Sequence, residues 1–277
     1  MDKVPDLPPL FRELDVRAVH RRTAIPGGEM SWRIWGEGSP AVLVHGMHGS
    51  WTHWLRNIGP LSTHRTVIVP DMPGFGDSDR GTMSGMDAYS AAISDGLDQL
   101  GVGSRFDLVA FSFGSTISFH FPDILRDRVR RLVLIGSAGL GPFRRASLDL
   151  TSWRGVEDPV DRARIHRANL GIMMFSDPAS IQNGAVAIQM QNTERMTLRR
   201  KDLIRTSDAL ARFTAWRPAE VDFIWGSEDM IIRDGLAETG EIILRIVPHA
   251  RLHVIEGAGH WVQYEQADAV NELLARL

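Results

Sequence analysis

Short, predominantly apolar runs recur along the chain, each ending in a polar, glycine-bearing loop and each followed by a stretch of helical periodicity. Residues 41–44, 66–69, 106–111, 131–135, 221–225 and 251–255 are such runs. The runs at 41–44, 66–69 and 106–111 read as buried strands, and helical stretches between strands that end in glycine-rich loops imply a parallel sheet. Residues 30–35 are different: after the Gly27-Gly28 turn they alternate apolar and polar, which predicts an antiparallel hairpin at one sheet edge. Trp51, Trp54 and Leu55 predict the buried face of a helix after the first run. Ala92, Ile93, Gly96, Leu97 and Leu100 give residues 86–100 an apolar side, and a closing helix is expected over 266–277.

From Pro142 to about Ala215 the strand rhythm stops. Helical patterns rich in arginine and methionine fall at 161–174, 185–196 and 201–213. An all-helical insertion between two strands of a parallel sheet is expected to lie over the C-terminal edge as a cap. The expected organisation is therefore a core of residues 1–140 and 216–277 with a cap of 141–215. Met173 and Met174, with Phe175 and Met190, are candidates for the pocket wall the cap contributes.

Composition narrows the partners. The chain has 277 residues, 43% hydrophobic and 23% charged, with a formal net charge of −3, so electrostatics give no reason to propose nucleic acid or an anionic membrane. There is no cysteine, hence no disulfide or thiolate nucleophile. The opening residues lack an apolar signal region, and no run approaches the roughly 18 apolar residues of a membrane span. The expectation is a cytoplasmic protein, monomer or homodimer, acting on a small molecule.

The loops carry the candidate chemistry. Ala110-Phe111-Ser112-Phe113-Gly114 joins a buried strand to a helix through one residue, Ser112, the arrangement of a nucleophile elbow. Asp229 follows the run at 221–225 and His260 follows the run at 251–255, so three strand ends carry a serine, a carboxylate and an imidazole in the order Ser, Asp, His. Asp229 is preferred to Asp222, which stands at the opposite, N-terminal edge, and Glu228 and Asp234 are the remaining alternatives. His45-Gly46-Met47-His48-Gly49 reads as an oxyanion loop, with the N–H of Met47, or alternatively His48, facing the serine. The histidines at 45, 48 and 53 invite a metal reading, but no carboxylate completes a ligand spacing, so no metal is expected. The glycines at 136, 139 and 141 stand in the wrong order for a dinucleotide fingerprint, and no cofactor is expected.

From about Met30 onward the sequence resembles the α/β-hydrolase superfamily, through HGMHG, DMPGFGDSD, AFSFG, GSED and GAGHW. The resemblance implies an eight-stranded, mostly parallel sheet with helices on both faces, a helical cap after the sixth strand, and no cofactor. It also implies Met47 and Phe113 as oxyanion donors beside a Ser112, His260 and Asp229 triad. Within the superfamily the chain is similar to capped serine hydrolases that include meta-cleavage-product C–C hydrolases and carboxylesterases. Those C–C hydrolases usually carry asparagine where this chain has Phe111. Their carboxylate-binding cap arginine falls near Gln189 and Met190, where this chain has none, which leaves Arg195 as the candidate. Ester hydrolysis is accordingly expected, with C–C cleavage or a ligand-binding receptor on the same fold as the alternatives; His48, Phe111, Trp261, Met173, Met174 and Arg195 are the expected substrate contacts.

Overall fold

A computed structural model of the chain describes residues 3–103, 105–141, 148–198, 208–216 and 218–276. Its centre is an eight-stranded sheet in the order β1-β2-β4-β3-β5-β6-β7-β8. The strands are β1 (Val19–Ile25), β2 (Gly28–Trp35), β3 (Ser39–Val44), β4 (Arg65–Asp71), β5 (Phe106–Phe111), β6 (Val129–Ile135), β7 (Val221–Gly226) and β8 (Arg251–Ile255). The hairpin β1–β2 is antiparallel and lies at one edge, and β2 pairs antiparallel with β4; every other pairing is parallel. This is the predicted α/β-hydrolase fold.

Because successive side chains of a strand point to opposite faces, each central strand feeds two cores. Val42, Val44, Leu108, Ala110, Leu132 and Leu134 pack on one face, against α3 (Met86–Gln99), α4 (Phe113–Ser118), α8 (Ala209–Trp216) and α9 (Leu236–Ile246). Ala41, Leu43, Val109, Phe111, Val133 and Ile135 pack on the other, against α1 (Pro9–Arg17), α2 (Leu55–Leu61), α10 (Val262–Glu265) and α11 (Ala267–Leu274). A short α5 (Asp123–Arg126) precedes β6. The stretch after β3 divides: Trp51–Trp54 is a tight 3₁₀ turn whose N-cap Ser50 hydroxyl accepts the Thr52 N–H, and only then does α2 begin.

Between β6 and β7 the described residues hold α6 (Pro159–Met173), α7 (Asn183–Arg195) and α8, with no strand. Asp158 caps α6 by accepting the N–H groups of Val160 and Asp161, with Pro159 fixed at the first helical position. The expected cap boundary at 215 needs correction. Phe213 of α8 is fully buried and meets Phe119 and Phe223 edge-on, at centroid distances of 5.7 Å each, so α8 belongs to the sheet-face core. The helix expected at 201–213 lies partly outside the described residues. The N-terminal opening, read from sequence only as polar and proline-bearing, contains α1, held by buried Leu14 and by Phe11 against Trp51. Among the described residues no helix is long and apolar enough to cross a membrane.

Candidate active site

The chain turns from β5 into α4 at Ser112, whose backbone has φ 49° and ψ −109°, a conformation that costs a non-glycine residue about 1–3 kcal/mol. The turn is tight because α4 starts immediately. A Cβ on Gly114 would stand 2.5 Å from the Val44 carbonyl oxygen, which explains glycine on that side of the serine. The strain is held by the Ser112 N–H donating to Ile135 O at 2.8 Å and by the Ser115 hydroxyl donating to Ala110 O at 2.9 Å.

Three sheet strands then bring the distant groups together. The Asp229 carboxylate, fully buried, lies 2.7 Å from Nδ1 of His260, and Nε2 of His260 lies 2.9 Å from Ser112 Oγ. A carboxylate only accepts, so Nδ1–H donates to Asp229 Oδ2 and Nε2 is left to accept the Ser112 hydroxyl proton. Asp229 is itself held by the Ile231 N–H at 2.9 Å. Gly136, at the end of β6 with φ 55°, makes room for the imidazole: a Cβ there would stand 3.0 Å from His260 Cε1. Nothing in the local sequence marks Gly136 for this role. Asp222 sits at the other end of the sheet, bonded to Arg131, Arg251 and His253.

The loop after β3 lies beside Ser112. Among the described residues neither the Met47 N–H nor the Phe113 N–H donates to another protein group, so two backbone donors are free next to the serine. The three neighbouring histidines form no metal cluster among the described residues. His45 and His53 are fully buried, and desolvation pushes His45 down to about 4 and His53 well below its ordinary value. His48 is half-buried with φ 56°; burial, then the nearby Arg154 charge, lowers it as well.

The helices between β6 and β7 are tied to these same loops. Asn192 of α7 accepts from the Ser50 hydroxyl at 2.8 Å, Thr197 N–H donates to Gly74 O at 2.9 Å, and Trp261 N–H donates to Met174 O at 2.8 Å. The segment thus spans the loops after β3, β4 and β8. No periodicity or motif marks Asn192 in the sequence.

Several expected substrate contacts do other work. Trp261 is fully buried, donates from Nε1 to His53 O at 3.1 Å and stacks on Tyr264. Phe111 is equally buried, with its ring 5.0 Å from that of His260. Both are corrected from pocket walls to the packing that holds His260 and its loop. Met174 is buried and Met173 packs against the same core. Arg195 is corrected from a pocket cation: its guanidinium is half-exposed and donates to Asp77, which also binds Arg33 at 2.5 Å.

The model of the alpha/beta hydrolase family matches residues 41–273. The chain belongs to the alpha/beta hydrolase family, and it is a hydrolase. It is 34% identical to a 2-hydroxy-6-oxo-2,4-heptadienoate hydrolase of Pseudomonas putida, over 94% of this chain and 98% of that one. It is 28% identical to a 2-hydroxy-6-oxo-6-phenylhexa-2,4-dienoate hydrolase of Burkholderia cepacia, over 86% and 87% of the two chains. Among solved structures it is similar to a meta-cleavage product hydrolase from Pseudomonas fluorescens, at 26% identity and a TM-score of 0.74, over 94% of this chain and 97% of that one.

Proposed function

We propose that this hydrolase cleaves the C–C bond of a 2-hydroxy-6-oxo-dienoate by way of an acyl-enzyme on Ser112. The observation that carries the reading is the 34% identity, over nearly the whole of both chains, with a hydrolase of that class, which reverses the order expected from sequence. In this reading the substrate is first protonated at C5 on passing from dienol to keto form. Ser112 Oγ attacks the C6 carbonyl, His260 Nε2 takes its proton, and the Met47 and Phe113 N–H groups receive the oxyanion. The C5–C6 bond then breaks with its electron pair entering the conjugated 2-oxo group, the dienolate so formed takes up the proton held by His260 and leaves as the dienol, and His260 is neutral again. Water, deprotonated by His260, releases the C6 acid from Ser112.

A dienoate also brings a carboxylate, whose unpaired burial costs several kcal/mol. Arg195 is committed to Asp77, so the charge partner is assigned to Arg154. Arg154 is exposed, lies over the Trp153 ring at 5.1 Å, and its charge acts on His48. Ester hydrolysis is the second reading, favoured by Phe111 before the serine and by the engagement of Arg195. The test is a paired assay. The fall in absorbance of 2-hydroxy-6-oxohepta-2,4-dienoate is compared with release of p-nitrophenol from short-chain esters. A kcat/KM at least about 100-fold higher for the dienoate is expected, a difference of about 2.7 kcal/mol in transition-state stabilisation. Efficient ester turnover with an inert dienoate would replace this reading with the second.

A further inference from the structure

We infer that His45 and His53 brace the oxyanion loop, and that His53 is a positioning residue which aims the Met47 N–H at the reacting oxygen. The inference rests on the reading of Ser112 as nucleophile. His45 Nε2 accepts the Met72 N–H at 3.0 Å, which puts its proton on Nδ1, and Nδ1–H donates to Gly46 O at 2.8 Å. No peptide bond is cis, so the Gly46 carbonyl and the Met47 N–H of the same peptide unit point in opposite directions. Holding the carbonyl therefore fixes the direction of the N–H. His53 secures the other end of the residue: its Nδ1 accepts the Gly46 N–H at 3.2 Å. Gly46 is thus held through both its donor and its acceptor by two imidazoles.

The surroundings of His53 indicate why the residue is an imidazole at all. It is fully buried, with the rings of Phe111 at 5.3 Å, Trp261 at 5.1 Å and His45 at 6.2 Å. With Nδ1 accepting, the proton must sit on Nε2, which is buried without a hydrogen-bond partner. Leucine or phenylalanine would fill such a box with no orphaned donor. What histidine adds is the single acceptor facing Gly46. Burial, together with the neighbouring histidines, keeps the ring neutral, so that acceptor persists at neutral pH.

The test compares His53→Asn, His53→Gln and His53→Leu. Asparagine carries Oδ1 where histidine carries Nδ1, whereas the glutamine amide reaches toward the Nε2 position. Removing an oxyanion donor outright costs about 10²–10³ in kcat, and a misdirected one costs part of that. His53→Leu and His53→Gln are expected to lose about 10–100-fold in kcat with KM within about threefold, while His53→Asn stays within about threefold of wild type. Affinity for a boronic acid that forms a tetrahedral adduct on Ser112 should fall in step with kcat, and affinity for the product carboxylic acid should hold; a purely structural role would not separate the two. Equal behaviour of the asparagine and glutamine variants, or unchanged kcat in all three, would overturn the inference. If His53→Leu does not fold, as read by its Tm, the asparagine and glutamine pair decides alone. Ser112→Ala run in parallel separates the two failures: retained turnover there defeats the nucleophile reading, whereas an inactive Ser112→Ala beside normal His53 variants defeats only the brace.

Discussion

Buried neutral imidazoles make the stability of this protein sensitive to mild acid. Desolvation lowers both His45 and His166 from about 6.5 to about 4. A group with a lowered imidazole pKa binds fewer protons folded than unfolded, so stability falls as pH drops through the unfolded value and levels off only near the folded one. At pH 4.5 each such histidine costs about 2.5 kcal/mol relative to pH 7, from the ratio of the two titration factors. Two give about 5 kcal/mol, comparable to the total stability of a domain at the lower end of the usual range of roughly 5–15 kcal/mol. His53 adds to the same trend, while Asp71, whose carboxyl is raised by burial, works against it. Urea unfolding followed by tryptophan fluorescence from pH 7.5 to 4.5 should show the midpoint falling steadily from about pH 6.5. His166→Gln removes one titrating ring away from the triad, and its pH slope should be shallower by about 1.4 kcal/mol per unit below pH 6. A wild-type midpoint that is flat from pH 7 to 5, or a His166→Gln slope equal to wild type, would refute the reasoning.

Three other outcomes are expected. Ser112→Ala should lower kcat by about 10⁴–10⁶ and abolish labelling by a fluorophosphonate, and Asp229→Asn should cost about 10⁴ in kcat by releasing the His260 tautomer; near-normal turnover in either would show that the triad is misassigned. Arg154→Ala should raise KM for the dienoate at least about tenfold while Arg195→Ala leaves both dienoate and neutral-ester turnover within a few-fold, because Arg195 is already paired with Asp77; steady-state kinetics on both substrates check this. Asp222→Asn leaves Arg131, Arg251 and His253 facing a neutral amide, and urea unfolding at pH 7 should show a loss of about 3–5 kcal/mol. The Asp222 carboxyl is held below its ordinary range, against the cost of burial, by hydrogen bonds from those three side chains. Its contribution is therefore present above about pH 4 and is lost as pH falls further, a window distinct from that of the histidines.

What was legible in the sequence was what depends on neighbours along the chain. The strand, corner and helix around Ser112 are fixed by a six-residue strand with five apolar residues and a close approach that demands Gly114, so the elbow could be found locally. Asp229 and His260 were found because each follows a strand, and parallel strands bring their C-terminal ends together whatever lies between. Contacts made across the fold were not legible. Helical periodicity is the same whether a helix covers a sheet or a loop edge, so the sequence alone does not separate α8 from the cap, whereas the structure packs Phe213 against Phe119 and Phe223. Arg195 reads as a free basic side chain beside Glu194, and nothing local reveals an Asp77 partner 118 residues earlier.

The histidines at 45, 48 and 53 show how much an environment can change the meaning of a residue type. Their spacing suggests ligands, yet two of them lie in a fully buried pocket beside Ser112, where one proton per ring divides each imidazole into a donor and an acceptor. Burial removes the charge and leaves the directionality. A side chain that would be a proton shuttle at the surface becomes a fixed hydrogen-bonding strut, and only His260, given a carboxylate on one nitrogen and a hydroxyl on the other, is placed to exchange its proton with Ser112. The division of labour among these rings thus follows from what each nitrogen faces, which is a property of strand order more than of sequence spacing.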